Sequence, residues 1–173
     1  MARLSADDMS ALGELAHRHQ GNVLALAYRT TGKWDQAEDI AQEVFLKVYK
    51  AAKHYKPTAK FSTWLYRITV NLCIDYQRQA ARRSINLDPS LLDNKTVEYK
   101  DSMEKKEITA LVQEAVIQLP ERQRHAVILH RYHGLSHEEI SNVMDASKSA
   151  VESLLVRGYS NLREKLRKLS DFS

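Results

Sequence analysis

The sequence predicts an all-α fold: two small helical domains joined by a flexible linker. Three observations support this. Apolar residues recur at helical spacing through most of the chain. Only 5 Gly and 3 Pro punctuate 173 residues, which favours long helices over a turn-rich sheet. One central stretch, 84–101, loses the periodicity and separates a domain over 1–83 from a domain over 102–173. With 43% hydrophobic residues, each side can fill a core.

From Ser5 to about Thr31, Met9, Leu12, Leu15, Val23, Leu24 and Ala27 fall at helical spacing, and Gly32 supplies a stop. A second helix fits Asp35 to about Tyr55, with Ile40, Val44, Phe45 and Val48 as its apolar stripe. Asp35, Glu38, Asp39 and Glu43 load its first half with negative charge, which the helix dipole favours by itself. Lys56-Pro57-Thr58-Ala59-Lys60 breaks the pattern and reads as a loop. A third helix runs from about Ser62, a candidate cap, to Arg83. Leu65, Ile68, Leu72 and Ile74 to Tyr76 face inward, and Trp64 is assigned to the core. Asn71 interrupts this apolar run, and burying an amide without a partner is costly, which makes it a candidate functional residue. Arg67, Arg78, Arg82 and Arg83 gather towards the helix end. The dipole favours cations there too, so position alone does not separate a phosphate track from a solvated face.

The linker contains Asn86, Asp88, Pro89, Asp93 and Asn94 and reads as a flexible acidic connector. Helicity resumes at about Met103, with Ile108, Leu111, Val112, Ala115, Val116 and Leu119 on one face. Pro120 is placed at the first position of the next helix, which carries Ala126, Val127, Leu129 and Tyr132. Leu135-Ser136-His137-Glu138-Glu139-Ile140 then opens a short helix, with Ser136 as N-cap and Glu139 completing a capping box. It stops near Met144-Asp145-Ala146-Ser147, and a longer basic helix runs from about Lys148 to Leu169. Two helices joined by so short a turn place the second in a DNA major groove.

Charge is distributed to suit this reading. The net charge is +4, with 13 Lys/Arg against 8 Asp/Glu in 1–83, 2 against 4 in 84–101, and 11 against 10 in 102–173. Within the last part, Asp145 to Lys168 holds 6 against 3, so the basic excess forms two separate footprints. No apolar run approaches the roughly 20 residues of a membrane span, and the N-terminus has no apolar signal region. A cytoplasmic protein without membrane insertion is expected. The single cysteine, Cys73, cannot form an internal disulfide and reads as a small buried side chain. His130, His133 and His137 straddle a helix end and a loop with no cysteine near, so they read as surface histidines and not as metal ligands. There is no P-loop, dinucleotide fingerprint or nucleophile elbow, and no pair of carboxylates stands out as an acid–base couple. No cofactor, metal or catalytic site is expected.

Three segments match a known pattern. Asp35-Gln36-Ala37-Glu38-Asp39-Ile40-Ala41-Gln42-Glu43-Val44-Phe45-Leu46-Lys47-Val48-Tyr49 resembles region 2.2 of bacterial sigma factors. Phe61-Ser62-Thr63-Trp64-Leu65-Tyr66-Arg67-Ile68-Thr69-Val70-Asn71 resembles their regions 2.3 to 2.4, in the form of the extracytoplasmic-function (ECF) group. Leu119-Pro120-Glu121-Arg122-Gln123-Arg124, the Leu135 to Ile140 segment, and Ala150-Val151-Glu152-Ser153-Leu154-Leu155-Val156-Arg157-Gly158 are similar to region 4. Their order and the short linker fit that group, with no room for regions 1.1 or 3.

The resemblance implies a sigma factor that binds core RNA polymerase and directs promoter-specific initiation by recognising −10 and −35 elements. Its implied partners are the polymerase β′ clamp helices and β flap, promoter DNA, and an anti-sigma factor. Docking on polymerase would fall to Asp35, Glu38, Asp39, Gln42, Glu43 and Phe45. Opening of the −10 element would fall to Tyr55, Lys56, Lys60, Phe61, Arg67, Asn71, Arg78 and Arg82. Asn71 matches the position that holds an extruded base, aromatic faces help to hold it, and the cations track phosphates. Lys148, Ser149, Glu152, Ser153, Val156 and Arg157 would read the −35 duplex. Here the chain departs from many relatives: Glu152-Ser153-Leu154 stands where Arg-Ser-Arg is common, and Val156 replaces an aromatic. Two rivals compete with this reading. A two-domain regulator explains the last third equally well but leaves the Asp35–Tyr49 and Phe61–Asn71 segments unexplained. A helical nuclease lacks a clustered carboxylate site.

Overall fold

The computed structural model describes residues 1–6, 8–57, 59–84 and 103–170. Among them run α1 (Ala2–Ser5), α2 (Met9–Thr31), α3 (Trp34–Ala51) with a 3-10 turn over Ala52–His54, and α4 (Phe61–Ser84). The second half holds α5 (Met103–Ile117), α6 (Glu121–His133), α7 (His137–Met144) and α8 (Lys148–Ser170). The expected linker lies outside the described residues except for Ser84, which belongs to α4.

Local chemistry sets most of the boundaries. The helix expected from Ser5 is broken, because Asp8 caps α2 by accepting from the Ser10 N–H at 3.0 Å. Arg3 locks the short α1 beside it, donating from Nε to Asp8 and from Nη1 to Glu14, both at 2.9 Å. Gly32 ends α2 at φ 74°, its N–H donating to the Tyr28 carbonyl. The second helix stops at Ala51, short of the expected Tyr55, and tightens into the 3-10 turn. Pro120 is the N-cap of α6, one residue before the expected position, because its backbone is still extended (ψ 138°). The capping box is present: the Glu139 N–H donates to Ser136 Oγ at 3.2 Å, and the Ser136 N–H donates to Glu139 Oε2 at 2.9 Å.

Two apolar cores form. One lies within the first domain and gathers Leu4, Val23, Ala37, Ile40, Val44, Val48, Leu65, Leu72 and Cys73. The other is centred on the second domain, with Val116, Leu119, Ile128, Leu129, Leu135, Ile140, Val143, Val151 and Leu155. It also takes in Leu26 of α2 and Tyr66 and Val70 of α4, so the two domains share a core. Gly158 lets α8 lie close on α6: a Cβ there would meet Val127 Cγ2 at 2.7 Å. Polar contacts tie the domains further. Gln113 donates to the Tyr28 carbonyl at 3.2 Å, buried Arg124 donates to Gln77 Oε1 at 3.0 Å, and the Arg29 guanidinium sits 4.4 Å from the Tyr132 ring centroid. Among the described residues no helix is long and apolar enough to cross a membrane.

Candidate nucleic-acid and polymerase interface

The residues expected at the −10 element divide into a stripe and an aromatic cluster. Arg67, Asn71, Arg78 and Arg82 are all exposed. At 3.6 residues per turn they fall within about 60° of one another on α4. Asn71 therefore escapes the packing penalty inferred from its apolar neighbours, because the helix turns it to solvent. The loop between the 3-10 turn and α4 presents Lys56 and Lys60, both exposed. Tyr55, Phe61 and Trp64 touch edge to face or tilted, with ring centroids 4.8 to 6.2 Å apart. Phe61 and Trp64 pack against the first domain's core, so this platform is half-buried and held in place. Tyr66 of the same motif is buried, and its hydroxyl lies 3.3 Å from His133 Nδ1. Burial raises the Tyr66 phenol pKa.

The second domain reaches this face. Lys60 Nζ lies 2.8 Å from Glu139 Oε1, and Arg67 Nη2 lies 3.8 Å from Asp145 Oδ2. The Lys60 hydrogen bond, then the Ser136 N–H, hold the Glu139 carboxyl at about 2, and the same contact raises Lys60.

The expected −35 residues form one exposed face of α8. Lys148, Ser149, Glu152, Ser153, Val156 and Arg157 all face solvent, and Val156 is 72% exposed. Such exposure of an aliphatic side chain leaves its methyl groups free to meet a thymine methyl in a major groove. Ser147 steadies the start of the helix by accepting from the Ala150 N–H at 3.2 Å. The Glu152 carboxylate lies 3.6 Å from His137 Nδ1 of α7, and Arg157 Nε donates to the Ser153 carbonyl at 3.3 Å. A shallow groove along this face is lined by Ser149, Ser153, Arg157 and Arg122. Arg122, from the start of α6, was not among the expected −35 residues, because only the fold brings it there.

On α3, Asp35, Glu38, Asp39 and Gln42 are exposed, and Glu43 is half-buried with its carboxylate 3.9 Å from Lys47 Nζ. Phe45 is half-buried and packs against the first domain's core. Leu46 and Tyr49, 56% and 40% exposed, add apolar surface to this face. They share its azimuth with Asp35, Asp39 and Gln42 at helical spacing.

The histidines have separate partners. His130 Nδ1 lies 2.8 Å from the Tyr159 hydroxyl, His137 faces Glu152, and His133 faces Tyr66. His133 is thus no surface histidine: burial, aided by Arg29, holds its pKa down to about 4. Wholly buried His125 is held at about 3. Among the described residues no group of three His, Cys, Asp or Glu is placed to hold a metal ion.

Comparison with known proteins gives the family. Residues 15–83 match the family described as Sigma-70 region 2, and residues 109–162 match Sigma-70, region 4. The chain is 36% identical to the ECF RNA polymerase sigma factor SigE of Mycolicibacterium smegmatis, covering 94% of this chain but 64% of that protein. It is 32% identical to the RNA polymerase sigma-H factor of Pseudomonas aeruginosa, covering 96% of this chain and 92% of that one. Among solved structures, CnrH in complex with the cytosolic domain of CnrY is similar at TM-score 0.68 and 27% identity, covering 99% and 95% of the two chains. The sigma factor RpoE of Bartonella quintana, solved with the anti-sigma factor NepR, shares the fold at TM-score 0.76 and 20% identity, covering 90% and 96%. The chain belongs to the ECF group of bacterial RNA polymerase sigma factors, subunits that join core polymerase and direct promoter-specific initiation.

Proposed function

We propose that the three faces divide the work of initiation. The α3 face, with Asp35, Glu38, Asp39, Gln42, Leu46 and Tyr49, docks on the β′ clamp helices, and the second domain engages the β flap. The loop and stripe of Tyr55, Lys56, Lys60, Arg67, Asn71, Arg78 and Arg82 take the opened −10 strand. Asn71 hydrogen-bonds an extruded base, the half-buried aromatic cluster backs it, and the cations follow phosphates. The exposed face of α8, extended by Arg122, reads the −35 duplex. The single observation that carries this division is the stripe on α4. Four polar residues spaced over four turns share one solvent-facing azimuth, while Leu65, Tyr66, Val70, Leu72 and Cys73 of the same helix enter the two cores.

The chain works in the cytoplasm, where polymerase and DNA are, and contributes no catalytic group of its own. An anti-sigma factor regulates it. The likeness over 99% of this chain to CnrH, solved with the cytosolic domain of CnrY, supports a partner of that kind.

Footprinting of the reconstituted holoenzyme on a promoter it selects tests the division. Lys60→Ala with Arg67→Ala should lose permanganate reactivity at the −10 thymines while keeping −35 protection. Arg122→Ala with Arg157→Ala should lose −35 protection first. Equal loss of both signals in both variants contradicts the assignment.

A further inference from the structure

Two histidines of the second domain stand along one edge of the −35 face. His137, at the start of α7, has its Nδ1 3.6 Å from Glu152 Oε1 of α8. Its ring tilts onto that of His130 in α6, with centroids 5.6 Å apart. His130 Nδ1 in turn lies 2.8 Å from the Tyr159 hydroxyl of α8. Glu152 and Tyr159 are seven residues apart, so at 3.6 residues per turn they share one azimuth to within about 20°. The four side chains therefore leave α8, cross α7 and α6, and return to α8 two turns later. Beneath them Val151 and Leu155 enter the core with Ile140 and Val143, which fixes α7 and α8 against each other.

Of the residues assigned to the reading face, Glu152 alone carries charge of the same sign as DNA. Phosphates repel its carboxylate, so an unheld side chain turns away from the duplex. A carboxylate only accepts hydrogen bonds. In the major groove cytosine offers it a donor, whereas guanine offers only acceptors and thymine an acceptor and a methyl group. Held in place, Glu152 accepts from cytosine and rejects guanine and thymine. A glutamate that has to be ordered on binding gives part of that selectivity back as lost entropy.

We infer that His137 is a positioning residue for promoter choice: it holds the Glu152 carboxylate at the edge of α8 and through it selects cytosine at one position of the −35 element. This rests on the assignment of α8 to the −35 duplex. The geometry suits the task. A separation of 3.6 Å is longer than a hydrogen bond, so the imidazole steers the carboxylate without capturing it. The Glu152 side chain stays 51% exposed and within reach of a base edge.

Holoenzyme reconstituted with the full chain is given a library of a promoter it selects, randomised over the −35 element. Sequencing the productive templates gives the base preference at each position. The unaltered chain should favour cytosine over guanine and thymine about tenfold at one position. Glu152→Ala should abolish that preference. His137→Ala should cut it to about threefold and leave the other positions as they were. His137→Asn, whose amide nitrogen stands near the place of Nδ1, should keep most of it. In the Glu152→Ala background, His137→Ala should change nothing further. A cytosine preference that survives His137→Ala intact, a loss spread evenly over all positions, or an added loss in the double variant overturns the inference. Equal loss in His137→Asn and His137→Ala overturns it too. A library with no base preference anywhere in the −35 element removes the assignment of α8 and the inference together. Preferences at other positions, with none that depends on Glu152, remove the inference alone.

Discussion

At the scale of single residues, the roles proposed for Asn71 and Arg157 are the most cleanly separable. Asn71 is exposed on α4. Asn71→Ala should therefore leave thermal stability and core binding unchanged. Open-complex formation should slow about tenfold, the cost of one lost hydrogen bond to a base in a dry site. Core-binding titration beside permanganate kinetics checks this, and parallel loss of both counts against it. Arg157 lies back on its own helix through the Ser153 carbonyl and is free to swing onto guanine. Arg157→Ala should weaken −35-dependent promoters by about 1–3 kcal/mol of discrimination while a promoter with an extended −10 element is spared, as abortive-initiation assays would show. Both positions lie exposed on long helices whose existence the sequence made legible. Phe45 sits at the edge of the apolar stripe, half-buried against the core, where spacing alone leaves both faces open.

At the scale of elements, caps and stops were the most readable features. Gly32, the Ser136–Glu139 capping box and the turn before Lys148 all act through neighbours a few residues away. The break at Asp8 falls before Met9, the first of the expected apolar positions, and rests on the Asp8 cap. Gly158 shows the opposite limit. Its role comes from Val127, thirty-one residues earlier, whose Cγ2 would lie 2.7 Å from an added Cβ. A valine there overpacks the α6–α8 contact with no flexible neighbour to yield. Gly158→Val should lower the stability of the second domain by about 1–3 kcal/mol, seen as an earlier transition in thermal unfolding. An unchanged midpoint would show that α8 is free to shift away from α6.

At the scale of the whole molecule, the contacts between domains were beyond sequence reasoning. Lys60 and Glu139 are 79 residues apart, and Gln113 and Tyr28 are 85 apart. No local pattern links such pairs. The shared core of Leu26, Tyr66 and Val70 with Leu129 and Ile140 supplies the closing force, since exposed ion pairs contribute little. The domains expected to hang apart on a linker thus pack against each other through a shared core. Acid should loosen this arrangement. His125 and His133 are held neutral at about 3 and about 4, below the ordinary 6.5, so the unfolded chain binds more protons than the folded one between about pH 4 and 6.5. Stability therefore rises with pH through that window and is lost on acidification. Each histidine should cost on the order of 1–2 kcal/mol between pH 7 and 5. Urea unfolding at the two values measures it, and equal midpoints would contradict the buried placement of both rings.

The central claim is that this chain gives core polymerase a choice of promoter. The most direct test sequences the 5′ ends of transcripts made on genomic DNA by purified core polymerase, with and without the chain. The account predicts a new set of start sites, each preceded by the same pair of upstream elements at constant spacing. Start sites that do not change when the chain is added would contradict it.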